Sequence, residues 1–177
     1  MDPKDEIPAV WPEEFDAFEL LRRLTSAGVD FVVIGGIAVI LHGSARVTRD
    51  LDIVFAPDDA NIEALGHVLV ASEATLRGVD ETVPFTADAA TLRNVQLLTL
   101  ETNAGWFDVH RRPDGAPPYE GLRKRAERMD VGGFSVLVAS VDDMLAMKRA
   151  AGRAQDLLDI ETLDAIKHLR KKGDADK

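Results

Sequence analysis

The sequence predicts an α/β (α+β) fold: a small mixed sheet flanked by helices, with more helices at the C-terminal end. Two observations carry this. Short apolar runs at 31–34, 51–55, 95–100, 106–110 and 134–138 alternate with stretches of helical period. The chain has 177 residues, 46% hydrophobic and 29% charged, which suffices for one domain with a real core. We expect a single domain over residues 1–177, with a core at about 28–139 and a helical part at about 140–172.

In chain order, residues 1–11 read as a loose lead-in. Pro12-Glu-Glu opens a helix, since proline suits a first turn and acids suit the positive helix end. Phe15, Phe18, Leu21 and Leu24 form its stripe, and Gly28 ends it. Phe31-Val-Val-Ile reads as a buried strand running into Gly35-Gly36. A short helix follows over 37–41 and stops near Gly43. Asp50 to Phe55 is a second strand. Residues 58–71 form a helix capped by Asp58, with Ile62, Leu65, Val68 and Leu69 on one face. The stretch 72–93 is weakly patterned.

Val95–Leu100 and Trp106–His110 read as a hairpin around Thr102-Asn-Ala-Gly. Pro113–Pro118 is a loop by composition. Residues 119–128 read as a helix, basic on one side. Gly132-Gly133 leads into the strand Phe134–Val138. Ser140-Val-Asp-Asp143 resembles a helix N-terminus, and two helices follow at about 141–151 and 154–170, joined near Gly152.

Bulk properties narrow the function. The chain lacks cysteine, which removes disulfides, thiol catalysis and Cys-type zinc sites. It has no apolar run long enough to span a membrane and no signal-peptide pattern at its start, so a cytoplasmic location is the expectation. With 31 acidic and 21 basic residues its formal charge is −10, a poor match to a protein that coats nucleic acid. HExxH, P-loop and GxSxG patterns are missing, so zinc peptidase, Walker ATPase and serine hydrolase readings have no support.

The chemistry concentrates in Asp50-Leu-Asp52. Alternate residues of a strand face the same way, so the two carboxylates share a face while Leu51 and Ile53 face the other. At about 7 Å between Cα atoms they repel unless a cation sits between them. Such oxygen ligands suit Mg²⁺, which takes one or two carboxylates plus substrate phosphates. A bare Asp-x-Asp is more often a helix cap or a solvated strand end, so its neighbours decide. Gly35-Gly36, at a strand-to-helix junction, lets backbone N–H groups approach a phosphate. Asp108 sits mid-strand between apolar residues, where a lone carboxylate needs a metal or a partner such as Arg111 or Arg112. Lys148, Arg149 and Arg153 place cations along one edge, with Asp156 and Asp159 following.

Together these residues resemble the DNA polymerase beta-like nucleotidyltransferase superfamily: Ile34-Gly35-Gly36, thirteen intervening residues, Asp50-Leu-Asp52, then Asp108. Within it, Arg46-x-Thr48-x-Asp50-x-Asp52 with Lys148, Arg153, Asp156 and Asp159 looks like the type IV toxin–antitoxin group of AbiEii and MenT proteins. The resemblance covers about residues 28–165. It implies a nucleotidyltransferase fold and an NTP substrate, with Mg²⁺, one ion or two, on Asp50, Asp52 and Asp108. It implies Gly35, Gly36, Arg46, Thr48, Lys148, Arg153 and Asp156 around the nucleotide, and the Ser44 hydroxyl is a further candidate to hydrogen-bond a phosphate. Asp108 would complete the metal site or activate the acceptor hydroxyl. Lys148 would neutralise the triphosphate, and Asp156 would hold that lysine's helix. The acceptor would be RNA or tRNA, with a cognate antitoxin protein as partner. The alternatives are a small molecule such as an antibiotic, or a nucleotide-binding partner protein with little turnover.

Other candidates weigh less. His110 shares a strand face with Asp108, a position from which a side chain can reach the border of the site. His42 reads as a loop or cap histidine and His67 as structural, while Ser44 reads equally as a turn residue. Arg123–Arg128 and Lys167–Lys172 are basic clusters that fit either an RNA backbone or a solvated helix face.

Overall fold

A computed structural model describes residues 15–79 and 85–175. The lead-in and the proposed helix opening at Pro12 lie outside them. The first described helix, α1 (Ala17–Ser26), starts later than expected and is capped by Asp16, whose Oδ1 accepts from the Glu19 N–H at 2.9 Å. Leu20, Leu21 and Leu24 face the core. Phe18 lies at the edge of that face, 45% exposed, and tilts against Phe134.

The strand β1 (Phe31–Ile34) is wholly buried and runs directly into α2 (Gly35–Leu41). A loop then leads to β2 (Asp50–Phe55), and α3 (Asp59–Ala71) follows, capped by Asp58 as expected. The weakly patterned stretch contains β3 (Thr75–Leu76) and α4 (Ala89–Asn94), the latter capped by Asp88. The hairpin β4 (Leu97–Thr102) and β5 (Gly105–His110) turns at Asn103-Ala104.

The helix α5 spans only Tyr119–Arg125. Residues expected to extend it instead form β6 (Glu127–Asp130), which pairs antiparallel with β7 (Ser135–Val138). The reason is local. Glu-Arg-Met-Asp alternates in exposure, and Gly132 and Gly133 at positive φ close a hairpin that a continuing helix would forbid. Two helices follow, α6 (Val141–Ala151), capped by Ser140, and the long α7 (Ala154–Ala175), with Gly152 at φ +63 ending α6.

The seven strands form one mixed sheet in the order β3-β4-β5-β2-β1-β7-β6. The β1–β2 pair is antiparallel, whereas β2–β5 and β1–β7 are parallel. The core spreads over both sides of the sheet, with Leu51, Ile53, Phe55, Phe107 and Val109 fully shielded on the face turned away from the aspartates. Among the described residues no helix is long and apolar enough to cross a membrane.

Candidate active site

The parallel β2–β5 pairing builds the site. Its register sets Asp50 opposite Trp106, Asp52 opposite Asp108 and Val54 opposite His110. Period-2 geometry then puts Asp50, Asp52, Trp106, Asp108 and His110 on one face of two central strands. Asp52 is 8% exposed and Asp108 is fully buried. His110 Nε2 lies 2.9 Å from Asp52 Oδ1. Because a carboxylate only accepts, Nε2 carries the proton in this contact and orients Asp52. Asp52, Asp108 and His110 each offer a ligand atom, all within 4.8 Å of one another. The two carboxylates suit a hard divalent cation such as Mg²⁺ or Mn²⁺, with the His110 N–H holding Asp52 in place. Asp50 lies outside that trio, and its Oδ1 accepts from the Thr48 hydroxyl at 2.9 Å.

Gly35 and Gly36 are there because the acid strand comes so close. A Cβ at Gly35, where φ is +66, would fall 2.5 Å from Asp52 Oδ2. A Cβ at Gly36 would fall 2.6 Å from Thr48 Oγ1. The glycine pair is therefore a spacer for the carboxylate strand, whatever else its N–H groups bind.

Asp108 does pair with an arginine, but with Arg77 and not with its neighbours. Arg77 Nη2 reaches Oδ1 at 2.9 Å and Oδ2 at 3.2 Å. Arg111 is spent on the carbonyls of Leu92, Arg93 and Val95, and Arg112 donates to that of Ala116. Sequence reasoning missed Arg77. A buried aspartate signals that a cation is needed, yet the sequence contains no mark that selects this one, just after a two-residue strand.

The downstream cations form a second centre. Lys148 is buried, with Nζ 3.0 Å from Asp156 Oδ1 and 2.8 Å from Asp159 Oδ2. Arg153 donates to Asp156 from Nε at 2.9 Å, and Arg46 bridges from the loop before β2 to Asp159. Burial pushes the Asp156 carboxyl up, but the hydrogen bonds from Arg153 and Lys148 outweigh it and hold the group below its usual range. Arg149 does not share an edge with Arg153. Gly152 interrupts the helix between them, and Arg149 pairs with Asp164 instead. Asp159, to which the sequence attaches no role, is shared by Arg46 and Lys148.

The remaining candidates are accounted for. Ser44 Oγ accepts from the Arg46 N–H at 3.2 Å, a turn contact. His42 is buried, with Nε2 2.7 Å from the Ala139 carbonyl and Nδ1 3.1 Å from Arg170. His67 is exposed on α3. In the basic clusters, Arg123 pairs with Asp30, Arg125 with Asp143, Lys167 with Asp142 and Arg170 with Glu127.

A mixed sheet that presents paired aspartates beside a glycine-pair junction defines a nucleotidyltransferase-type fold. The profile of the family described as "Nucleotidyltransferase of unknown function (DUF6036)" matches residues 15–171, and the chain belongs to that family. It is a nucleotidyltransferase. Among solved structures it is similar to the lincosamide antibiotic adenylyltransferase LnuA in its lincomycin-bound form. That match has 19% identity and a TM-score of 0.60, covering 87% of this chain and 99% of the other. It is also similar to ANT(2'')-Ia in complex with adenylyl-2''-tobramycin, with 14% identity, a TM-score of 0.51, and 88% and 92% covered. At these identities the likeness is one of fold. No curated protein matches by sequence.

Proposed function

We propose that this nucleotidyltransferase moves an NMP from an NTP to a hydroxyl of a small molecule, with a divalent cation at the aspartate face. The observation that carries this is the register that puts Asp50, Asp52 and Asp108 on one face of the paired strands, with Asp52 opposite Asp108. A hydroxyl oxygen would bond to the α-phosphorus as the bond to the β-phosphate oxygen breaks and pyrophosphate leaves. Bound Mg²⁺ would offset the charge on the attacking and leaving oxygens. Asp50 and Asp52 would hold it, and Asp108 would lie at the acceptor side of the same face, placed to take the hydroxyl proton. Gly35 and Gly36 would bring backbone N–H groups to the phosphates. Arg46, Thr48, Lys148 and Arg153 would lend positive and polar groups at the loop before β2, with Asp156 fixing Lys148 and Arg153.

Two observations favour a small acceptor over RNA. Much of the basic surface is tied up in ion pairs with acids, and the net charge is −10. The fold neighbours LnuA and ANT(2'')-Ia were solved with lincomycin and with adenylyl-tobramycin. The second reading is a toxin-like enzyme that modifies RNA and has an antitoxin partner. It draws on the convergence of Arg46, Lys148, Arg153, Asp156 and Asp159, the residues that carry that resemblance.

The test is incubation with each α-labelled NTP and Mg²⁺, ATP first, against hydroxyl-rich antibiotics and against total RNA. Label on a small molecule supports the first reading, and label in RNA supports the second. Failure to label any acceptor, despite NTP binding, would overturn both.

A further inference from the structure

Arg77 stands just past β3, where its N–H donates to the Thr99 carbonyl at 3.0 Å. Thr99 is the residue paired with Asp108 across β4 and β5. That placement brings the guanidinium over the site face. Its carbon lies 4.8 Å from the centre of the Trp106 ring, and Trp106 is two residues before Asp108 on the same face. Nη2 contacts both oxygens of Asp108, while Nη1 is buried with no hydrogen-bond partner. Asp108 and Trp106 therefore fix this side chain. A fully buried carboxylate held by a stacked arginine already has the counter-charge that a metal would supply.

We infer that Arg77 is a built-in counter-cation at the third carboxylate. Arg77 neutralises Asp108, so Asp108 is positioned for the acceptor without ligating the first metal. That ion is left to Asp52 and Asp50. Arg77 is thus a positioning residue, and the inference rests on the metal reading proposed above.

Local charge then orders Mn²⁺ affinity across a set of variants, measured from the free-ion signal in electron paramagnetic resonance. Arg77→Met adds a negative charge and should bind Mn²⁺ roughly tenfold more tightly than wild type. Asp108→Asn removes one and should bind roughly tenfold more weakly. The double variant Arg77→Met/Asp108→Asn restores the wild-type charge and should return to within about threefold of wild type. Arg77→Lys keeps the charge and should also stay near wild type, which a purely packing role for Arg77 would not produce.

Double-variant binding as weak as that of Asp108→Asn would overturn the inference, because Asp108 would then be a direct ligand. Arg77→Met binding equal to wild type would also overturn it. Should Arg77→Met fail to fold, Asp108→Asn against the double variant decides alone, since neither leaves a buried carboxylate unpaired. The metal reading fails separately: if wild type binds no Mn²⁺, or Asp52→Asn binds it as well as wild type, both proposals fall.

Discussion

Gly35 and Asp52 occupy almost the same space: a methyl group on the glycine would sit 2.5 Å from the aspartate's Oδ2. Gly35 also has φ +66, which costs an alanine about 1–2 kcal/mol. Gly35→Ala should therefore do two things. It should lower stability by roughly 1–3 kcal/mol, read by thermal melting. It should also push Asp52 off its position and cut nucleotide transfer more than a hundredfold, the scale at which a misplaced group costs rate. An active, stable Gly35→Ala protein would show that Asp52 need not hold this position.

Asp52 is the carboxylate to which the others relate: it faces Asp108 across the strand pair and accepts from His110. Asp52→Asn keeps the shape and removes the charge. Transfer should fall about a thousandfold, the loss expected if several kcal/mol of metal-borne charge stabilisation disappears. Circular dichroism should show the fold intact. Retention of more than a tenth of the wild-type rate would refute the metal assignment.

The sheet and the acid face were legible because both follow from periodicity. Alternation in Asp50-Leu-Asp-Ile and Trp-Phe-Asp-Val-His puts three acids and a histidine on defined faces, and only the β2–β5 register had to be added. What was not legible depended on long-range pairing. β3 is two residues long, too short for any period to show, yet it delivers Arg77. Residues 127 and 128 lost their helical reading to the hairpin that pairs β6 with β7. The Lys148 segment shows its charges plainly but not their pairing, because Gly152 breaks the helix on which a spacing argument relies.

Lys148 is held between Asp156 and Asp159, and both carboxylates are buried. Removing its charge leaves them with only the arginine partners. Lys148→Met should cost about 3–5 kcal/mol, the scale for breaking a buried ion pair. Urea unfolding measures it, and a loss under about 1 kcal/mol would show that the arginines suffice.

Acid should act on the same centre. Arg153 and Lys148 hold the Asp156 carboxyl below its unfolded value of 3.8, against the upward push of burial. A depressed acid stabilises the fold fully above its unfolded pKa and stops doing so as pH falls through the folded one. The urea midpoint should therefore hold steady above about pH 5 and fall below about pH 4. In Asp156→Asn the acid-dependent part of that fall should shrink. An equally steep fall in the variant would place the acid sensitivity elsewhere.

His42 sits just past α2, close in sequence to the glycine pair, and makes an obvious false candidate for catalysis. Its contacts say otherwise. Nε2 donates to the Ala139 carbonyl between β7 and α6, and Nδ1 accepts from Arg170 on α7. One imidazole thus ties the end of α2 to the C-terminal helices through two bonds that need the Nε2–H tautomer. His42→Ala leaves a buried carbonyl without its donor, which costs about 1–3 kcal/mol. The melting temperature should drop accordingly, while the transfer rate measured well below the new midpoint should stay within about twofold of wild type, because neither bond touches the aspartate face. A large rate loss without a stability loss would move His42 into the catalytic machinery.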